Sequence, residues 1–193
     1  MPENPLHLLM NPRSIAVAGA NNNPMKMGTL QALSIIKDGY AGALYPVHPT
    51  EKTVLGLKAY NAVADLPEAP DLAVLVVPTR QAAPVLEDFG KIGTPRAVVI
   101  TAGFRETGEE GRLLEEQLKE IARRCGMRFL GPNCMGMLNS RISLNLTVAQ
   151  LTGRPGLLGL ASQSGTYVTQ TLAYLRERGI RLSKAISVGN EAN

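Results

Sequence analysis

The stretch 19–28, GANNNPMKMG, has the residue types and the spacing of a phosphate-binding loop. It follows a short apolar run over 14–18, which is typical of a buried parallel strand, and it precedes apolar residues at helical spacing from Leu30 onward. A loop that ends at a helix N-terminus offers backbone N–H groups and the positive end of the helix dipole to an anion. The pattern therefore predicts a nucleotide-binding unit, although a strand–helix turn that binds nothing has a similar composition.

The loop differs from the fingerprint of NAD-binding proteins. That fingerprint is G-x-G-x-x-G, with an acidic residue at the tip of the second strand. Here Asn21 and Pro24 lie between Gly19 and Gly28, and the second predicted strand, 43–47, is followed by His-Pro-Thr. We therefore expect a ligand with several phosphates and no nicotinamide, and an NAD-binding redox sensor is disfavoured.

Strands and helices alternate around this unit. The predicted strands are 14–18, 43–47, 72–77, 97–100 and 127–130, and the predicted helices are 28–38, 81–91 and 109–125. Alternation of this kind predicts an α/β fold with a Rossmann-like, doubly wound parallel sheet. Such sheets bind ligands beyond the carboxyl ends of their strands, where this chain has small, polar, Gly and Pro residues.

The pattern changes after residue 145. We expect one domain over 1–148, a linker over 149–156 and the beginning of a second α/β domain over 157–193. The second part contains one β-α-β unit, with strands at 157–161 and 184–188 and a helix from Thr166. Its sheet would have unpaired edges, so another part of the molecule or a partner chain is expected to complete it.

The loop 162–165, SQSG, joins the first strand and the helix of this second unit. It could hold an anion at the helix N-terminus or act only as an N-cap. A serine-hydrolase elbow is disfavoured, because Ser162 occupies the place of the first glycine in G-x-S-x-G. The histidines of the chain, His7 and His48, also precede the serine, which is not the hydrolase order.

Composition excludes several classes of protein. The chain has 193 residues, a net charge of +4, 45% hydrophobic and 4% aromatic residues and no Trp, so it lacks a stacking platform for single-stranded nucleic acid. We expect no signal peptide, because residues 1–7 lack a basic region followed by an apolar one, and the sequence contains no apolar run of the ~20 residues that a membrane span needs. Cys125 and Cys134 form neither a disulfide framework nor a metal-site spacing. We expect a cytoplasmic protein with free thiols, no metal site, and no nucleic-acid or membrane partner.

Six motifs, taken together, resemble the NDP-forming acyl-CoA synthetases, the family of the succinyl-CoA synthetase alpha subunit. They occupy 13–20, 45–49, 71–74, 101–108, 131–136 and 162–165. The resemblance implies a Rossmann-like CoA-binding domain followed by the first β-α-β unit of a flavodoxin-like domain. It also implies synthesis of an acyl-CoA from an acid, CoA and ATP, through an acyl phosphate and a phosphohistidine, with release of ADP and phosphate.

The resemblance assigns roles to the loops at the strand ends. It places the CoA phosphates at Gly19, Ala20, Asn21, Asn22, Asn23, Lys26 and Met27, and at His48, Pro49 and Lys52 after the second strand. It places the adenine and pantetheine path along Val77, Pro78, Thr101, Ala102, Gly103 and Asn133. Ser162, Gln163, Ser164 and Gly165 form the helix N-terminus that stabilises the phosphorylated histidine. Relatives often have Asn-Pro-Lys where this chain has His-Pro-Thr, which makes Lys52 the nearest lysine.

Neither His7 nor His48 matches the phosphohistidine of the family, and no stretch resembles an ATP-grasp domain. We therefore expect this chain to contain no catalytic residue. We expect ATP, ADP and Mg to bind only to other domains. The expected partners are CoA and either the remaining synthetase domains or an ATP-grasp subunit, with a homo-oligomer left open. Three interpretations remain open. The chain is part of an ADP-forming, acetate-type synthetase, or it is a CoA-sensing module of a protein lysine acetyltransferase, or it is a stand-alone CoA-binding protein.

Overall fold

The computed structural model of the protein describes residues 6–148 and 155–193. The strands are β1 (Ser14–Ala18), β2 (Ala43–Val47), β3 (Thr53–Val54), β4 (Leu57–Lys58), β5 (Leu72–Leu75), β6 (Arg96–Val99), β7 (Arg128–Leu130), β8 (Met137–Asn139), β9 (Leu144–Asn145), β10 (Leu158–Ser162) and β11 (Leu182–Ser187). The α-helices are α1 (His7–Met10), α2 (Met27–Lys37), α3 (Thr79–Lys91), α4 (Glu109–Arg124) and α5 (Gly165–Glu177).

The first sheet is parallel throughout and has the strand order β2-β1-β5-β6-β7. Ser14 pairs with Ala43 on one side of β1, and Ile15 pairs with Leu72 on the other. The chain order reverses between β1 and β5, which makes the gap beyond their carboxyl ends the topological switch point of the sheet. This architecture confirms the predicted doubly wound α/β fold.

Side chains of β1 alternate between two hydrophobic clusters, one on each face of the sheet. Ile15 and Val17 belong to the first cluster, and Ala16 and Ala18 belong to the second. Helix α2 packs in the first cluster, whereas α3 and α4 pack in the second. Because helices cover both faces of the sheet, β1 is buried along its whole length. Its sequence is therefore a nearly continuous apolar run.

A second sheet has the strand order β10-β11-β8-β9. Strands β10 and β11 are parallel and flank α5, as the predicted β-α-β unit requires. Strands β8 and β9 were not predicted. Strand β8 pairs antiparallel with β11, and β9 pairs antiparallel with β8. They are three and two residues long, too short for a periodic pattern, and the turn between them passes through Ser143 at φ 55°, where a glycine would have been the expected signal.

The hairpin of β8 and β9 joins the two parts of the molecule. It precedes residue 148, yet its hydrogen bonds to β11 cross the predicted linker, most of which lies outside the described residues. Met137 and Leu144 also pack in the first cluster with Ile15 and Val74 of the parallel sheet. The division into domains at 149–156 stays a prediction.

Among residues 6–148 and 155–193, no helix combines the length and the apolarity that crossing a bilayer requires.

Candidate functional site

The loop after β1 approaches the start of α2 so closely that both contact points need glycine. Gly19 has a φ of 97°, and a Cβ added there would lie 2.1 Å from the carbonyl oxygen of Val76. A Cβ added at Gly28 would lie 2.4 Å from the carbonyl oxygen of Gly19. The loop therefore folds directly over the helix N-terminus, as a phosphate-binding loop must.

The asparagine side chains of the loop shape its backbone. The Asn21 Oδ1 atom accepts a hydrogen bond from the Asn23 N–H at 2.8 Å, and the Asn23 Oδ1 atom accepts one from the Met25 N–H at 2.9 Å. The Asn22 side chain donates to the Thr53 carbonyl at 2.8 Å and to Glu51 Oε2 at 3.0 Å. Since these polar atoms are engaged within the protein, the loop offers a ligand mainly its backbone and Lys26.

Lys26 is the N-cap of α2 and makes no side-chain capping bond. The first N–H groups of an α-helix have no partner within the helix, so an anion can bind them if no side chain does. The Lys26 ammonium and the helix dipole both favour negative charge at this point. The local chemistry suits a phosphate or pyrophosphate.

A cavity of about 590 Å³ lies at the switch point, beyond the carboxyl ends of β1, β2 and β5. Eight predicted site residues line it: Gly19, Asn21, Lys26, Met27, His48, Pro49, Val77 and Pro78. Asn61, Val63, Gln81, Val85 and Asp88 also line it and were not predicted. Of these, Gln81, Val85 and Asp88 have i, i+4, i+7 spacing on α3, a pattern that the sequence alone could have assigned to one helix face.

His48 follows β2 at the wall of this cavity. Its Nδ1 atom accepts hydrogen bonds from the backbone N–H groups of Glu51 at 3.3 Å and Thr50 at 3.4 Å. A neutral imidazole that accepts at Nδ1 carries its proton on Nε2, which is then a hydrogen-bond donor. NAD-binding proteins have a ribose-binding acid at the tip of the second strand, whereas this chain has a hydrogen-bond donor after β2.

A second cavity, of about 430 Å³, shares Met27, Val76 and Val77 with the first. It is also lined by Thr101, Ala102 and Asn133, which were predicted, and by Cys134 and Met135. The Thr101 hydroxyl donates to the Val77 carbonyl at 2.7 Å, which ties the tips of two neighbouring strands together. Burial raises the pKa of the Cys134 thiol to about 12, so this cysteine is not a thiolate nucleophile at neutral pH.

A third cavity, of about 380 Å³, lies where the tips of the two sheets meet and shares Asn133 and Gly165 with the second. Gln163, Ser164, Gly189 and Asn190 complete its lining, and no histidine is among these residues. Ser164 caps α5 by accepting a hydrogen bond from the Tyr167 N–H at 3.2 Å. The three cavities form a trough that runs from the loop after β1 to the N-terminus of α5.

Six predicted site residues lie outside the linings of these three cavities: Ala20, Asn22, Asn23, Lys52, Gly103 and Ser162. Ala20 is fully buried in the first cluster, whereas Ser162 supports its loop by accepting a hydrogen bond from the Ser164 N–H at 3.2 Å. Lys52 is exposed on the neighbouring loop. Ligand contacts of all the predicted residues stay predictions. In the described ranges, no group of three or more His, Cys, Asp or Glu side chains could hold a metal ion.

Comparison with known families assigns both parts of the chain. Residues 13–140 match the CoA-binding domain family, and residues 155–193 match the succinyl-CoA ligase-like flavodoxin domain. These matches confirm the resemblance and the order of folds predicted from the motifs.

Individual relatives point in the same direction. The chain is 42% identical over 188 residues to the alpha subunit of the ADP-forming acetate–CoA ligase II of Pyrococcus furiosus, with coverage of 97% of this chain and 41% of that protein. It is 39% identical to the ADP-forming 4-hydroxybutyrate–CoA ligase of Nitrosopumilus maritimus, covering 95% of this chain and 26% of that protein. The solved acetyl-coenzyme A synthetase 1 of Ca. Korarchaeum cryptofilum, in complex with phosphate and ADP, superposes with a TM-score of 0.92 at 40% identity, covering 97% of this chain and 40% of that one. The chain thus spans less than half the length of these relatives.

Proposed function

The chain belongs to the CoA-binding domain family, and from that premise we propose that it is the CoA-binding portion of an ADP-forming, acetate-type acyl-CoA ligase. The observation that carries this proposal is the trough of three adjoining cavities. It begins at a loop and helix N-terminus suited to phosphate and ends at the N-terminus of α5 in the flavodoxin-like part. A long ligand with phosphates at one end and a reactive group at the other fits this arrangement.

CoA is such a ligand. We place its pyrophosphate at the N-terminus of α2, beside Lys26, and its adenosine in the first cavity near Val47 and Val63. Its pantetheine arm then passes Met27 and Val77 into the second cavity. The lining of that cavity includes apolar side chains and the Thr101 hydroxyl, which suits an arm of methylene and amide groups. The thiol end arrives near Asn133, at the border of the third cavity.

The reaction proposed for the whole enzyme consumes an acid, CoA and ATP and releases an acyl-CoA, ADP and phosphate. The chain's own contribution is to hold CoA and to present the N-terminus of α5 at the third cavity. The backbone N–H groups of Gly165 and its neighbours favour a negative charge there, such as a phosphoryl group on a histidine supplied by the rest of the enzyme. His48 lies at the first cavity and His7 lies on α1, so neither is placed for this role.

The partners we propose follow from this assignment. They are CoA and the remaining ligase domains, including an ATP-grasp domain or subunit that binds ATP and Mg. We propose a cytoplasmic location, because ATP and CoA are cytoplasmic substrates. The acyl group stays unassigned, since its binding belongs to the other parts of the enzyme.

Isothermal titration calorimetry of this chain with CoA tests the proposal, with dephospho-CoA and NAD as the comparison ligands. We expect CoA to bind at micromolar concentration, dephospho-CoA to bind more weakly and NAD not to bind. Binding of NAD in place of CoA would overturn the proposal. A turnover assay of the same chain with CoA, ATP and acetate should give no acetyl-CoA, and product formation would contradict the assignment of catalysis to other domains.

A further inference from the structure

A polar cluster lies where the tips of the two sheets meet. It consists of Arg105 and Glu106 in the loop after β6, Glu115 on α4 and Asn190 after β11, and we call these four residues the tip lock. Glu115 is 4% exposed and Asn190 is 6% exposed. Neither residue was predicted to be part of a site.

Glu115 occupies a buried position on α4, where an apolar side chain would pack. Burying a carboxylate costs stability unless it is paired and hydrogen-bonded, so its partners are informative. Its Oε2 atom accepts a hydrogen bond from the Asn190 side chain at 2.8 Å, and its Oε1 atom lies 3.6 Å from the Arg105 Nε atom. The carboxylate of the first part is therefore satisfied by a residue of the second part.

Glu106 connects Asn190 to the loop after β6. Its Oε1 atom accepts hydrogen bonds from the N–H groups of Gly103 at 2.5 Å and Phe104 at 3.1 Å. Its Oε2 atom accepts a further bond from the Asn190 side chain at 2.6 Å. Partial desolvation of the carboxylate would by itself raise the pKa of Glu106, but the hydrogen bonds from Asn190 and the backbone outweigh it and hold the pKa below its ordinary value.

The backbone and side-chain polar groups of Asn190 all have hydrogen-bond partners. Its N–H donates to the Pro132 carbonyl at 2.8 Å, its carbonyl accepts from the Arg105 guanidinium, and its Oδ1 atom accepts from Asn133 at 3.3 Å. Asn133 and Asn190 line the third cavity, and Asn133 also lines the second. The tip lock thus fixes the walls of the trough at the point where its second and third cavities join.

We propose that Glu115 and Glu106 are positioning residues that act through Asn190. They fix the loop after β6 and the loop after β11 relative to each other, so that the thiol end of CoA is bound at the third cavity. This inference rests on the proposed function. It implies that the tip lock contributes to binding of the pantetheine arm and not to binding of the adenosine end. The two ends can be separated experimentally, because adenosine 3′,5′-bisphosphate lacks the pantetheine arm.

The test compares the affinities of the chain for CoA and for adenosine 3′,5′-bisphosphate in Glu115→Gln and in Glu106→Gln. We expect the Kd for CoA to rise about tenfold in each variant while the Kd for the bisphosphate stays within about twofold. Glu116→Gln is the matched control, since Glu116 is the next residue of α4 and forms only a half-exposed pair with Lys119. It should bind both ligands as the unchanged chain does.

Hydrogen exchange gives a readout that does not depend on the ligand. The Gly103 and Phe104 amides, which bond to Glu106, should exchange faster in Glu106→Gln, whereas amides of β1 should not change. Equal losses of affinity for both ligands, or an unchanged CoA affinity, would overturn the inference. Glu106 is exposed, so we expect Glu106→Gln to fold. This variant therefore tests the inference by itself if Glu115→Gln does not fold. If the unchanged chain bound neither ligand, the proposed function itself would fail, which is a different outcome.

Discussion

Lys26 is the residue that the proposed function places beside the pyrophosphate of CoA. It lies at the first cavity and is the N-cap of α2, so its ammonium adds to the field of the helix N-terminus. We predict that Lys26→Ala raises the Kd for CoA about tenfold, the loss of one charge-assisted contact. Because the pyrophosphate is common to both ligands, the Kd for dephospho-CoA should rise by a similar factor in calorimetry.

Lys37 provides the control for this variant. It lies in the last turn of the same helix, so Lys37→Ala removes the same charge at the opposite end. It should leave the affinity for CoA within about twofold. Equal effects of both substitutions would mean that only the net charge of the chain matters.

Asp71 predicts a pH dependence of stability. The Arg13 guanidinium and backbone N–H donate three hydrogen bonds to its carboxylate, at 2.9, 2.9 and 3.0 Å. The bonds from the Arg13 side chain are the main cause of a pKa below the ordinary value, against the opposing effect of burial. A carboxyl group whose pKa is lower in the folded state stabilises the protein above its unfolded pKa of about 3.9, and this stabilisation is lost as the pH falls through the folded value.

Asp71→Asn should therefore lower the free energy of unfolding by about 1 kcal/mol at pH 7 and by less at pH 3. The expected loss is small because the Arg13 side chain is largely exposed to solvent, which screens the ion pair. Urea denaturation at the two pH values measures the difference. Asp88→Asn, which breaks an exposed pair with Lys91, should change stability little at either pH, and a loss at Asp71 that is independent of pH would count against the ion pair.

At the scale of elements, we expect the contact between the loop after β1 and α2 to decide whether the proposed phosphate site forms. Gly28→Ala replaces a poor helix former by the best one, which by propensity alone would stabilise α2 by about 1 kcal/mol. The added Cβ would lie 2.4 Å from the Gly19 carbonyl oxygen, and backbone must move to relieve that contact. We predict that the clash outweighs the propensity and that CoA affinity falls at least about tenfold in calorimetry.

The matched substitution is Gly159→Ala in β10. A Cβ added there meets no atom within 4 Å, so both CoA affinity and stability should stay close to those of the unchanged chain. Unaltered CoA affinity in Gly28→Ala would show that the close approach of loop and helix is not needed for binding.

At the scale of the whole molecule, the first hydrophobic cluster joins the two sheets. Leu144 of β9 is fully buried there, together with side chains of β1 and β5. We predict that Leu144→Ala lowers the free energy of unfolding by about 2–5 kcal/mol, the usual cost of truncating a buried leucine. Far-UV circular dichroism in urea should show one transition at a lower midpoint, because both sheets depend on the same cluster.

Leu113 serves as the comparison for Leu144. It is 52% exposed on α4, so Leu113→Ala removes the same atoms from a position with little burial and should cost well under 1 kcal/mol. Two separated transitions in Leu144→Ala, with hydrogen exchange increased only in β8 to β11, would mean that the sheets unfold independently.

The sequence by itself determined the elements of the parallel sheet. Strands β1 and β2 have the predicted bounds, since each is a short apolar run that ends at a polar loop. Of these two, only β1, inside the sheet, is buried along its whole length. The six ordered motifs also identified the family, which the matches over residues 13–140 and 155–193 confirm. The loop at Gly19 and the cavity residues Lys26 and His48 could be named because they follow the ends of predicted strands, where a sheet of this kind has its cavity.

Tertiary structure alone decided how the two parts meet. Strands β8 and β9 are too short for a pattern, and the pairing of β8 with β11 depends on residues more than forty positions away. Glu115 looks like a surface residue of an amphipathic helix, and only its contacts with Asn190 and Arg105 explain its burial. Asn61 and Asp88 likewise reach the first cavity through folding. The spacing of apolar and polar residues along the chain predicts helices, strands and the loops between them. Contacts between loops that are distant in the sequence depend on how these elements pack, and residue spacing within a short segment does not predict them.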